Sequence, residues 1–289
     1  MGFGRKNTLS TGQNRALICC GIMTLSAFGP KAVMRFNIPK HKPAYAREVL
    51  AETWEITDGT QAVAKIEQLA EANTTCPAVR EVFDHIIAKN QSDIIRGIFT
   101  PIKGDALLGL NLPQNFVHLW RAATNNANED IDAFMIFLNN PNEQVPGRTF
   151  HNITQAAVLA RINKSIAGYE QAVRSLIVFG YSREELAKLS NFSAWDLGRC
   201  GHVAKMSALA GYISEAAAWR HMIAAGDAAY KTYNNWREFL AAYFIGRGMA
   251  HTADGIADFG ETIRFLLKDS KSPYRLFPLK SLEDDEVQE

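Results

Sequence analysis

A chain of 289 residues, 47% hydrophobic and 21% charged, is long enough to bury a large core and too apolar to stay disordered. Its formal net charge is +1, with Lys and Arg spread along the chain, which excludes the clustered basic surface that nucleic-acid binding needs. The four cysteines, Cys19, Cys20, Cys76 and Cys200, make neither a metal-ligand spacing nor a small-domain disulfide frame, so reduced thiols and a cytoplasmic location are the simplest reading.

Arg5, Lys6 and Arg15 precede an apolar run from Ala16 to Phe28 that superficially resembles a secretory signal. The run ends in Gly29-Pro30-Lys31 without a small-x-small cleavage site, is diluted by Met23, Thr24 and Ser26, and is too short to span a bilayer. A buried first helix after a flexible stretch 1–14 is therefore expected, and no membrane span. Lys6 stands where a myristoylation pattern needs Ser or Thr.

Asp58 with Gln61 can open a helix running to about Ala72. Thr75 and Pro77 precede another, through Val79, Val82, Phe83, Ile86 and Ile87. Pro113 opens an aromatic-rich segment, Phe116 to Trp120, and Ile131 to Leu138 reads as a short apolar helix. Asn139-Asn140-Pro141-Asn142 and Val145-Pro146-Gly147 break the pattern and mark a lobe boundary. From about Asn152 a long helix should run to Phe179 and stop at Gly180, a residue suited to a left-handed cap. Ser182 with Glu185, and Ser193 with Asp196, fit N-terminal capping boxes, while Ser214 and Asn234 cap the next two helices. Strand signals barely appear and no internal repeat is present. The expected fold is all-α: a compact multi-helix globular protein with helical lobes at 15–140 and 150–270 and an acidic tail at 271–289.

The most informative stretch runs from Ser193 to His251. On a helical wheel one face carries Trp195, Arg199, His202, Met206 and Leu209, with Asp196 and Val203 on its flank. The opposite face carries Leu197, Cys200, Gly201, Ala204, Ala208 and Gly211, small enough to admit a close neighbour. Only Lys205 and Ser207 look ready for solvent. A helix apolar nearly all round is a buried one, so its Asp, Arg and His need partners. The helix from Asn235 places Trp236, Leu240, Tyr243 and Arg247 on one stripe, with Arg247 flanked by Gly246 and Gly248. Arg247 should stack on rings or pair with a carboxylate, and Asp196 is the favoured partner.

The candidate cluster is thus Trp195, Asp196, Arg199, His202, Trp236, Tyr243 and Arg247. In a structural reading, the Asp196–Arg247 pair locks two helices in register. In a functional reading, two arginines outnumber one aspartate and their surplus charge receives an anionic small molecule or partner group. A catalytic role for Asp196 or His202 lacks an identified set of nucleophile, base and oxyanion donors, so no catalytic residue is assigned. The structural reading is favoured, because buried ion pairs mark function only statistically.

His251, Asp254, Asp258 and Glu261 could align on one helix face, yet fit neither structural zinc nor a calcium loop, so no metal is expected. His118, His151 and His221 stand alone. Phosphate-binding, dinucleotide, nucleophile-elbow and zinc-hydrolase motifs are all missing, and no cofactor is implied.

At these residues the chain resembles a bacterial family, domain of unknown function 1266. The resemblance rests on Ala194-Trp195-Asp196-Leu197-Gly198-Arg199, Gly211-Tyr212-Ile213-Ser214, Ala218-Trp219, Asn235-Trp236-Arg237-Glu238-Phe239 and Tyr243-Phe244-Ile245-Gly246-Arg247. Thr53-Trp54-Glu55-Ile56 resembles the family's N-terminal half, and the pattern departs near Leu69 to Asn73, where a Gly-His pair is expected. The resemblance implies an all-helical cytoplasmic bacterial protein whose shared centre is Trp195, Asp196, Arg199, Trp236, Tyr243, Gly246 and Arg247. It transfers no activity. Chaperone-type or toxin-related gene neighbours of some relatives imply an accessory or neutralising role, an immunity-like or chaperone-associated factor bound to another protein. The alternative is a binder of, or enzyme acting on, a small anionic substrate.

Overall fold

The computed structural model describes residues 9–36, 43–71, 168–189, 191–250 and 259–280. Most of these residues are helical, with no strand among them, so the fold is all-α. The elements expected at 75–87, 113–120 and 131–138, the breaker at 139–147, His118, His151, Cys76 and the 251–258 part of the acidic face lie outside the described residues. The chain divides into two compact units: Met1–Asn73, Asp196–Phe239 and Glu261–Glu289 form the first, and Thr74–Trp195 with Leu240–Gly260 the second.

In the first unit, the apolar run at 16–28 is two helices, α1 (Thr11–Cys19) and α2 (Gly21–Phe28). The Ser10 hydroxyl accepts from Gln13 N–H and the Gln13 side chain answers on Ser10 N–H, a reciprocal cap that starts α1. Helix α3 (Pro43–Trp54) ends at Glu55, which takes a left-handed φ of 57° while Ile56 N–H returns to Leu50 O. Asp58 opens α4 (Gly59–Glu71) by accepting from Gln61 N–H, as its spacing predicts.

The second unit contains helix α5 (168–178), which stops where expected: Gly180 sits at φ 95°, and Tyr181 N–H returns to Leu176 O. Helix α6 (Arg183–Ala187) starts on the predicted Ser182–Glu185 box.

Helix α7 (Ala194–Ala210) follows directly on Ser193. Ser193 N–H donates to Asn191 Oδ1, and the Asp196 carboxylate is engaged by Arg199. Ser214 caps α8 (Glu215–Thr232) through Ala217 N–H. The cap of α9 (Trp236–Ala250) falls one residue later than expected. Asn235, not Asn234, accepts from Glu238 N–H, while the Glu238 carboxylate takes Asn234 N–H. Helix α10 (Gly260–Lys268) and the short α11 (Pro273–Leu276) follow, joined by Ser272, whose hydroxyl donates to Leu266 O at 2.6 Å.

Close approaches fix both units. In the first, a Cβ on Gly201 of α7 would sit 2.9 Å from Cys20 Cβ at the α1–α2 junction. In the second, side chains at Gly246 and Gly248 of α9 would run into Phe192 O and Gly168 O. No described helix is long and apolar enough to cross a membrane.

Candidate functional site

The candidate residues fall into two sets. In the first unit, Asp196 finds its partner one turn along its own helix: Arg199 Nη2 donates to Asp196 Oδ1, and both side chains are 16% exposed. An i,i+3 pair faces one side of a helix by geometry alone. The Arg199 guanidinium also lies 5.9 Å from the Trp54 ring centroid, joining α7 to the end of α3. His202, 5% exposed, is held neutral, its pKa pushed down to about 4 by burial and secondarily by the Lys205 charge.

Lys205 and Ser207 overturn the expectation that they face water: they are 2% and 0% exposed. Lys205 Nζ, Ser207 Oγ and His202 Nδ1 have no hydrogen-bond partner among the described residues. Burial holds the Lys205 amine below the ordinary lysine value, opposed by the nearby Cys20 thiol. The same dry packing pushes the thiols of Cys19, Cys20 and Cys200 up, Cys200 to about 12. A helical wheel ranks positions by side-chain type, so a lysine is assigned outward whatever packs on it.

Trp236 forms the wall of a recess in the same unit. Its indole stacks on Tyr274 at 5.4 Å, meets Phe239 edge-on, and donates Nε1–H to Phe277 O at 2.8 Å. The recess, about 200 Å³, is lined by Ile18, Leu276, Phe277 and Pro278 beside Trp236, with Asn14 and Arg15 as polar edges. Arg15 is already fixed there, 3.0 Å from Asp227 Oδ1 and 4.1 Å above the Tyr230 ring. Sequence spacing did not reveal this recess, because its walls come from positions more than two hundred residues apart in the chain.

In the second unit, Trp195 and Tyr243 meet edge-to-face with centroids 5.0 Å apart. The Arg247 guanidinium lies 5.9 Å from the Trp195 ring and 4.8 Å from Phe259. Stacking is thus the outcome for Arg247, as one of its two expected environments. Phe244 packs edge-on against Tyr243 and Phe259, extending the aromatic block. Arg247 Nη1 is buried without a hydrogen-bond partner among the described residues.

No group of three or more His, Cys, Asp or Glu side chains that could hold a metal ion occurs among the described residues. Glu261, from the suspected acidic face, is exposed on α10. His221 is half-buried on α8. No curated protein and no solved structure matches the chain. A family model does, over residues 108–279, covering α5 to α11 and every residue of the candidate cluster. The chain therefore belongs to the family described as protein of unknown function (DUF1266).

Proposed function

We propose that this chain is a non-enzymatic helical protein that acts by binding another protein, in an accessory role of the immunity-like or chaperone-associated kind. The observation that carries this reading is the recess beside Trp236. Its walls are mostly apolar, with Thr11, Asn14 and Arg15 at its edge, its volume of about 200 Å³ suits one inserted side chain, and Leu276 on its lining is 59% exposed. The polar candidates support the same reading by being occupied with structure: Asp196 with Arg199, and Trp236 with Phe277 O. Tagged protein recovered from its native host tests this. A stoichiometric partner should be retained by Tyr243→Phe and lost by Leu276→Asp. Recovery of no such partner, or a partner indifferent to Leu276→Asp, contradicts it.

A second reading places an anionic small molecule at Arg247, favoured by the unpaired Nη1 of a guanidinium already oriented by two rings. Arg199 does not serve as a second clamp in this reading, since Asp196 holds it. Thermal stabilisation by a phosphate or carboxylate metabolite, abolished in Arg247→Met, is its signature.

A further inference from the structure

The interior of the first unit holds a buried amine one helical turn beyond the glycine that packs on a buried thiol, with no hydrogen-bond partner for the amine among the described residues. Gly201 of α7 lies directly against Cys20, and a Cβ placed on it would be 3.8 Å from Cys20 Sγ. Lys205 follows Gly201 by one helical turn on the same face. Long helical side chains run back over the preceding turn, so the Lys205 stem is directed over Gly201, toward the space beside Cys20. Its nitrogen is sealed from solvent and has no hydrogen-bond partner among the described residues.

The neighbouring thiols are aimed elsewhere. Cys200 Sγ points to Ile66 O of α4 at 3.6 Å, and Cys19 Sγ to Ala225 O of α8 at 3.9 Å. Cys20 Sγ is turned back on Leu17 O of its own helix at 3.4 Å. Sulfur-to-sulfur joining would require two thiols to leave different carbonyls, whereas the amine has no bond to give up. A buried polar group left unsatisfied in this way calls for a reason.

We propose that Cys20 and Lys205 form a modification site at which peroxide joins the thiol sulfur to the amine nitrogen as a sulfenamide. The free amine takes the thiol proton, and the thiolate attacks one peroxide oxygen. The O–O bond breaks, the departing hydroxide recovers that proton from the ammonium, and the products are a sulfenic acid, the free amine and one water. The nitrogen lone pair then attacks sulfur, the S–O bond breaks, and the hydroxyl leaves with an amine proton as a second water. Sulfur is oxidised by two electrons and one hydrogen peroxide is reduced by the same two; the second step is a substitution without net redox change. Burial favours the uncharged amine that this substitution needs, and excludes larger competing nucleophiles. Once the chain is unfolded, an external thiol reverses the linkage by attacking sulfur and giving its proton to the released lysine nitrogen.

The test treats the native full-length protein with hydrogen peroxide, then denatures it in maleimide and maps the peptides. The expected product has lost two hydrogens and one of the four labelled thiols, and yields joined peptides carrying Cys20 and Lys205 that dithiothreitol separates. Lys205→Met, which keeps the stem and removes the amine, should yield no joined species from the same treatment. Loss of two thiols together marks a disulfide and overturns the proposal. So do an unchanged count of four thiols, and a Cys20 carried to sulfinic acid with Lys205 unmodified.

Discussion

Two regions of α7 meet the same apolar packing with opposite results. Near its start, Asp196 and Arg199 neutralise one another and add a ring contact to Trp54, so partial burial leaves no charge stranded. Further along, Lys205 and Ser207 are sealed more completely and have no hydrogen-bond partner among the described residues. Paired charges within hydrophobic packing are roughly neutral for stability, but an unpaired amine there is a standing cost. The comparison separates what holds the fold from what the fold tolerates.

The largest effect should come from the side where packing alone acts. Phe244 is fully buried between Tyr243 and Phe259, and Phe244→Ala should lower unfolding stability by about 3–5 kcal/mol in denaturant titrations. A loss within experimental error would show that this aromatic block is not sealed.

Acid should act next, through His202. Its folded value of about 4 lies below the ordinary 6.5, because burial favours the neutral ring. Above 6.5 neither folded nor unfolded chain is charged there; below it the unfolded ring binds a proton that the native one refuses. Stability should therefore fall by about 3 kcal/mol as pH drops from the ordinary to the folded value, then level off. Denaturant midpoints for wild type and His202→Leu across that range check it: the difference between the two should shift with pH, and parallel curves would contradict it.

Lys205→Met should change stability in the other direction, raising it by about 1–3 kcal/mol at neutral pH, since it removes an unsatisfied polar group and keeps the volume. That gain should shrink as pH rises toward the ordinary lysine value of 10.5, where the unfolded amine also loses its proton. A destabilised Lys205→Met would mean the amine has a partner.

The smallest effect should be at Arg247. Leaving a buried carboxylate unpaired costs about 3 kcal/mol or more, but Arg247 lies against rings, so Arg247→Ala should cost only about 1 kcal/mol by thermal unfolding. A loss of the larger size would show that the residue carries an ion pair after all.

Much of this was legible in the amino-acid order because it is local. Caps act over three residues, so Ser182, Ser214, Asp58 and Gly180 mark their helix ends directly. Adjacent asparagines defeat that logic: Asn234 and Asn235 both suit a cap, and only backbone geometry chooses the second. Burial of α7 and α9 was readable from their periodicity, but partner choice was not. Asp196 has Arg199 within one turn and another arginine on a separate helix, and the nearer one takes it. The break at Cys20 that divides α1 from α2 leaves no Gly-Pro signal before it, so a single helix was expected. Lys205 and Ser207 were misplaced for a physical reason: polarity predicts exposure on average, while Gly201 draws the Cys20 junction onto the face that Lys205 shares, and Ser207, two residues on, is buried on another side of the helix. The recess beside Trp236 was invisible, because α1 and the 276–278 turn contribute its walls.

The sealed amine of α7, without a hydrogen-bond partner among the described residues, is the most telling feature of this interior. Carbon-13 NMR of the Lys205 Cε through a pH titration of the native protein, assigned against Lys205→Met, reads its state directly. The expected result is a titration midpoint below the ordinary lysine value of 10.5, with no reaction toward an amine-acylating reagent while the protein stays folded. An ordinary midpoint together with rapid acylation would place Lys205 in water and contradict the buried α7 interior described above.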